Sequence, residues 1–175
     1  MSRLVTALLA LALLLTACGS TETRQITYAL AGAQERLGGT PVKLLATAHP
    51  SKQELLLFYQ YRKDPEARCG SGAALVRPGQ SDQALDEEHA CAESDTAIST
   101  VSKSGALGDY ALSYGLVFDP RVSRVAVDFG SGDSANATVS GGAWWVLRRI
   151  PSAPVRVIAY DRSGKALQTV NLPPA

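Results

Sequence analysis

Serine hydrolysis needs a nucleophile, a histidine base and an acid that orients it, and the α/β-hydrolase version carries its serine in Gly-x-Ser-x-Gly. No such pentapeptide occurs, and the chain holds only two histidines, His49 and His89. His49 falls in an apparent turn and His89 in an acidic stretch, so both read as solvated surface residues. The Ser-x-x-Lys pattern of penicillin-recognising enzymes is missing too. Asp86, Glu87, Glu88 and His89 set carboxylates beside an imidazole. Carboxylates suit calcium and a carboxylate-plus-imidazole set suits zinc. Their spacing matches no calcium-loop pattern, however, and a run of charge is ordinarily a wet face, so neither a metal nor a cofactor is expected. Copper would need soft thioether ligands, and the sole methionine is Met1.

The adjacent Trp144 and Trp145 are the other conspicuous pair. Successive side chains on a strand point to opposite faces. One indole is therefore expected in the core and the other outside, where it can stack on a sugar, anchor a protein partner or be capped by Arg148 or Arg149. Trp144 and Trp145 are thus the candidate binding residues, and the alternation alone does not say which faces outward.

The first residues carry a different chemistry. Arg3 is followed by an uncharged apolar run from Leu4 to Ala17, shorter than the roughly 20 residues needed to cross a bilayer as a helix. It has the form of a signal peptide, and it ends in Leu15-Thr16-Ala17-Cys18. That ending resembles the bacterial lipobox. The resemblance implies cleavage before Cys18, a thioether-linked diacylglycerol on it, and often a third acyl chain such as palmitate on the new amino group. Two or three chains make the attachment effectively permanent. Gly19 and Ser20 follow, and by similarity to lipoprotein sorting the absence of an aspartate there implies the outer membrane where a cell has one, and otherwise the outer face of the plasma membrane.

Lipidation of Cys18 leaves Cys69 and Cys91. In an oxidising compartment they are expected to form a disulfide, stabilising the fold by about 3 kcal/mol through loop closure; two unpaired buried thiols are the alternative. The chain has 17 Lys plus Arg against 16 Asp plus Glu, and loss of Arg3 with the signal makes the two equal. Zero net charge disfavours nucleic acid and polyanions as partners.

Several elements must position these residues. Gly19 to Thr23 reads as a polar tether, and Ile26, Leu30, Ala33 and Leu37 recur at helical spacing up to Gly38-Gly39. Val42 to Ala48 and Glu54 to Tyr61 read as a β-hairpin turning at His49-Pro50-Ser51-Lys52, with a third strand over Gly72 to Val76 before Arg77-Pro78-Gly79. Residues 82–95 are acidic without a basic residue, solvated, with room for a turn or two of helix held by Cys91. Ser94 to Gly108 is the linker candidate. Six short strands then follow: Tyr110 to Phe118, Val122 to Phe129, Ala135 to Val139, Ala143 to Ile150, Val155 to Tyr160 and Lys165 to Leu172. Asn136-Ala137-Thr138 fits a glycosylation sequon but reads as a turn in a bacterial chain.

The expected fold is mainly β with a minor α+β N-terminal part: a helix and β-hairpin, then an antiparallel immunoglobulin-like β-sandwich. The divisions are 1–17 signal peptide, 18–23 lipidated tether, 24–104 α+β region with the disulfide, and 105–175 sandwich-like region. The layout, with Tyr114-Gly115, Asp119-Pro120 and Tyr160-Asp161-Arg162-Ser163-Gly164-Lys165, resembles small uncharacterised exported bacterial proteins and implies no activity. The expected function is a lipid-anchored extracytoplasmic envelope protein, non-enzymatic, that binds a protein or glycan. The alternatives are an envelope hydrolase using carboxylates as acid and base, or a metal-binding lipoprotein.

Overall fold

The computed structural model describes residues 20–62, 70–79, 83–88, 96–107, 110–149 and 153–173. Helix α1 spans Thr21–Arg36. It begins earlier than the apolar spacing suggested because Ser20 is an N-cap: its Oγ accepts from the Thr23 N–H at 3.1 Å, satisfying a first-turn donor. Thr21 to Thr23 therefore belong to the helix and not to a tether. Leu37 and Gly38 close the other end, their N–H groups donating to the carbonyls of Ala33 and Glu35.

Among the described residues twelve strands follow, in three antiparallel four-stranded sheets. Sheet I has the order β1-β2-β3-β4, from β1 (Val42–Ser51), β2 (Glu54–Tyr61), β3 (Gly70–Val76) and β4 (Gln83–Glu88). Sheet II has β5-β6-β10-β9, from β5 (Val101–Leu107), β6 (Tyr110–Leu116), β10 (Ala143–Arg149) and β9 (Thr138–Ser140). Sheet III has β12-β11-β7-β8, from β12 (Ala166–Asn171), β11 (Arg156–Tyr160), β7 (Arg124–Gly130) and β8 (Asp133–Asn136).

Residue alternation fixes how the sheets stack. In β2, Leu55, Leu57, Tyr59 and Tyr61 face α1 with its Ala29, Ala33 and Leu37, whereas Leu56 and Phe58 face sheet II. In β10, Ala143 and Trp145 meet Phe58 and Leu56 across one interface, whereas Trp144 and Val146 meet Val125, Val127, Val157 and Ala159 of sheet III across the next. The layers therefore run α1, sheet I, sheet II, sheet III, with a separate apolar core in each gap. At about 10 Å per layer, sheet III lies roughly 30 Å from the helix.

Large aromatics are accommodated by glycine directly across the ladder. Tyr59 pairs with Gly72 and Trp144 with Gly115, and in each case a Cβ on the glycine would collide with the ring. At Gly115 it would also strike the Ser99 carbonyl, to which the Trp144 indole donates at 2.9 Å.

Several local expectations change. His49 and Pro50 lie within β1 and the turn moves to Lys52-Gln53; β1 is an edge strand, where proline's missing N–H breaks no ladder bond. The acidic stretch contributes a strand, β4, and no helix, as far as Glu88. The linker candidate is structured instead: Val101–Leu107 pairs with β6, Ile98 bridges Val117, and Ala97, Ile98, Ser99 and Val101 are buried. The 104/105 boundary thus falls inside β5. The run Ala135 to Val139 is split: β8 ends at Asn136 in sheet III and β9 begins at Thr138 in sheet II, so the chain changes sheet at Ala137.

Candidate functional site

The tryptophans alternate as expected, but neither faces solvent: Trp144 is 0% and Trp145 8% exposed. The face away from one core is the floor of another, because sheet II is covered on both sides. Trp145 stacks on Phe58 with centroids 4.8 Å apart. Arg148 caps neither indole; it pairs with Asp133 and lies over the Phe129 ring. The exposed aromatic site is therefore withdrawn.

Cys18, Cys69, Cys91 and His89 lie outside the described residues, as do the side chains of Asp86, Glu87 and Glu88. His49 is exposed on β1, with Nε2 3.5 Å from Glu22 Oε1. It has no nucleophile or acid triad around it among the described hydrogen bonds.

Among the described residues, what remains open is the outer face of sheet III. The sheet's inner residues pack on sheet II, and its outer face carries Tyr160 and Arg124 at one end, Ile158, Ala126 and Asn136 in the middle, and Arg156, Asp128 and Ser134 at the other. These residues line a shallow depression of about 440 Å³. Arg124 lies 3.9 Å over the Tyr160 ring and reaches Asn136 Oδ1 at 3.3 Å, so the ring is already occupied and is no free platform for stacking. Arg156 donates to Asp128 at 2.6 Å.

A larger groove of about 800 Å³ opens where sheet III meets the edge of sheet II. One wall is the segment Pro120 to Ser123, leading into β7; the other is Asp161 to Ser163, in the β11–β12 turn; Val139 of β9 closes the floor. Both walls are rigidified by an aspartate. Asp119 accepts from the Arg121 N–H at 2.9 Å and from its Nη2 at 2.7 Å. Those hydrogen bonds hold the Asp119 carboxyl below its ordinary pKa and raise that of Arg121. Asp161 accepts from Ser163 Oγ at 2.6 Å, Ser163 N–H at 2.8 Å and Lys165 N–H at 3.0 Å. Its pKa is lowered chiefly by the Ser163 hydroxyl. The walls are tied together where the Ser123 N–H donates to the Tyr160 carbonyl at 2.9 Å.

In the sequence Asp119-Pro120 and Asp161-Arg162-Ser163-Gly164 stand out only as parts of the overall layout. The signal available was an aspartate followed at two residues by arginine or serine, Asp119-Pro120-Arg121 and Asp161-Arg162-Ser163, but nothing local says that the two turns face one groove.

No protein-family model, curated protein or solved structure matches the chain.

Proposed function

We propose that the protein is a lipid-anchored, non-enzymatic envelope module, tethered through acyl chains on Cys18 and binding its partner at the far pole of the layer stack. The observation that carries this reading is the layer order. The helix that starts at Thr21, three residues after Cys18, and the sheet whose outer face no described element covers stand at opposite ends, with two sheets between them. A module built this way holds its open sheet and the adjoining groove away from the membrane. Sheets II and III, two antiparallel sheets facing across an apolar layer, fit an immunoglobulin-like sandwich in the loose sense.

Three of the described carboxylates are unsuited to the role of general acid. A general acid needs a raised pKa to hold its proton near neutrality, whereas Asp119, Asp128 and Asp161 are all shifted the other way by hydrogen bonds that stabilise the ionised form. They act as braces for turns.

Membrane fractionation tests the anchor. Cys18→Ala should leave the protein unprocessed or release it from the membrane, and a cleaved alanine variant that stays wholly membrane-bound would overturn the reading. The same reading places a Cys69–Cys91 disulfide in the exported protein. Alkylation of the unreduced protein followed by mass spectrometry should find both thiols blocked; two labelled cysteines would refute the pairing.

A further inference from the structure

We infer that the groove between Pro120–Ser123 and Asp161–Ser163 takes an anionic substituent, a carboxylate or a phosphate, of an envelope glycan, with Arg162 as the principal contact. The inference rests on the binding-module reading and gives its ligand a chemical class.

The argument begins with charge. Over the whole chain acids and bases nearly cancel, but they are not evenly spread. Of the two aspartates at this end, Asp119 pairs with Arg121, while Asp161 keeps its charge in the groove lining and accepts from Ser163 and from the Lys165 N–H. Arg162 lines the groove and is exposed, and no described residue makes a hydrogen bond or ion pair with it. Lys165, at the close of the same turn, is also exposed. Arg121 is 71% exposed and uses Nε and Nη2 on Asp119, leaving Nη1 out of that pair. Arg121, Arg162 and Lys165 against Asp119 and Asp161 leave a local excess of one positive charge, and the Arg162 guanidinium, with no partner among the described residues, is suited to bidentate recognition of carboxylate or phosphate. Zero net charge gives no long-range field to gather a polyanion, so recognition is of a single anionic group at short range.

The rest of the groove sets the body of the ligand. Ser123 and Ser163 supply hydroxyl edges, and Pro120, Val122 and Val139 form a small apolar floor against which the C–H face of a sugar can lie. The lining has no aromatic residue. Among the described residues that leaves no platform for the stacking that single-stranded nucleic acid requires, and a sugar would be held there by its charged and hydroxyl groups rather than by ring stacking.

The test is titration of the full-length protein in detergent with three probes: a galacturonate oligomer, a glycerol phosphate oligomer and a neutral dextran oligomer. Binding of either anionic probe but not of dextran is expected, weakening as salt is raised, and comparison of the two anionic arms tells carboxylate from phosphate. Arg162→Ala should lower affinity about tenfold, roughly the worth of one charge-assisted contact, while Lys52→Ala, on the exposed β1–β2 turn of sheet I, should leave it unchanged. Equal binding of dextran, no binding of any probe, or full affinity in the Arg162 variant would each overturn the assignment. Fractionation of Cys18→Ala is indifferent to all of these outcomes, so failure of the ligand class and failure of the anchored reading are separately visible.

Discussion

Sheets II and III have the same strand number and the same antiparallel pairing, yet one is the middle of the molecule and the other its open end. The difference is written in single strands. In β10 the run Ala143-Trp144-Trp145-Val146 is apolar on both faces, and all four residues are buried. In β7 and β11 the buried Val125, Val127, Val157 and Ala159 alternate with Arg124, Ala126, Asp128, Arg156, Ile158 and Tyr160. A strand without alternation asks for cover on both sides, while a strand with it leaves one side for water or a ligand. The proposed binding role therefore falls to sheet III and the turns at its end, whereas Trp144 and Trp145 belong to the core.

The sharpest way to break that contrast is to truncate neighbouring residues in each sheet. Trp144→Ala and Trp145→Ala should each cost about 3 to 5 kcal/mol, with Trp144 the worse because its loss also leaves the buried Ser99 carbonyl without its indole donor. In sheet III, Val157→Ala should cost about 2 kcal/mol and Ile158→Ala about 1 kcal/mol, although the isoleucine loses more carbon, because only the valine is fully enclosed. Denaturant melts of the four variants decide it. A tolerant tryptophan would mean that one face of sheet II is open after all.

A middle-sized effect is expected at Gly115. Adding one methyl there should cost about 1 to 3 kcal/mol, since the new Cβ meets the Ser99 backbone and the Trp144 ring. Gly142→Ala offers a comparison: nothing crowds that position, but its φ of +89° penalises any side chain for a backbone reason. Near-UV circular dichroism should separate the two, with the indole environment disturbed only by Gly115→Ala. An unperturbed tryptophan signal in that variant would contradict the close approach.

The smallest effect concerns acid. Asp119, Asp128 and Asp161 all brace sheet III or its turns and have lowered pKa values in the folded protein, caused chiefly by the Arg121 side chain, the Gly130 N–H and the Ser163 hydroxyl. A group with a depressed folded pKa contributes its stability above the ordinary value and loses it as pH falls through the folded one. Stability should therefore be level at neutral pH and decline below about pH 4. Because all three groups are only part-buried and remain in reach of solvent screening, the decline should be modest. Hydrogen exchange should show β7 and β11 opening before β2 and β10 as the pH drops. Earlier opening in sheets I or II would place the acid-sensitive groups elsewhere.

The helix, most strands and their turns were legible in the sequence because local rules set them. Apolar spacing marked α1, Ser20 and Gly38 mark its ends, and turn residues separated the strands after Asp109. The local errors are just as instructive. His49-Pro50 resembles a turn by composition, but β1 continues through it on a sheet edge. Ser94 to Gly108 resembles a linker, yet Ser99 and Val101 are buried, and Gln168 of β12 fastens Ala97 and Ile98 by accepting both backbone N–H groups, at 2.6 and 2.8 Å. A small polar composition is compatible with a strand when distant partners satisfy its backbone.

By itself the sequence determined the lipobox-like start and the two-residue period that sends Trp144 and Trp145 to opposite faces, since both depend only on neighbouring residues. Only the tertiary structure decided that each of those faces meets another layer, that Ala137 carries the chain from sheet III to sheet II, and that Arg121 and Arg162 edge one groove although 40 residues of chain separate their turns. Burial of a strand face depends on what is packed against it, and that partner is set by pairings between residues far apart in the chain. A period of two says which residues share a face, and the stacking of sheets says whether that face is wet.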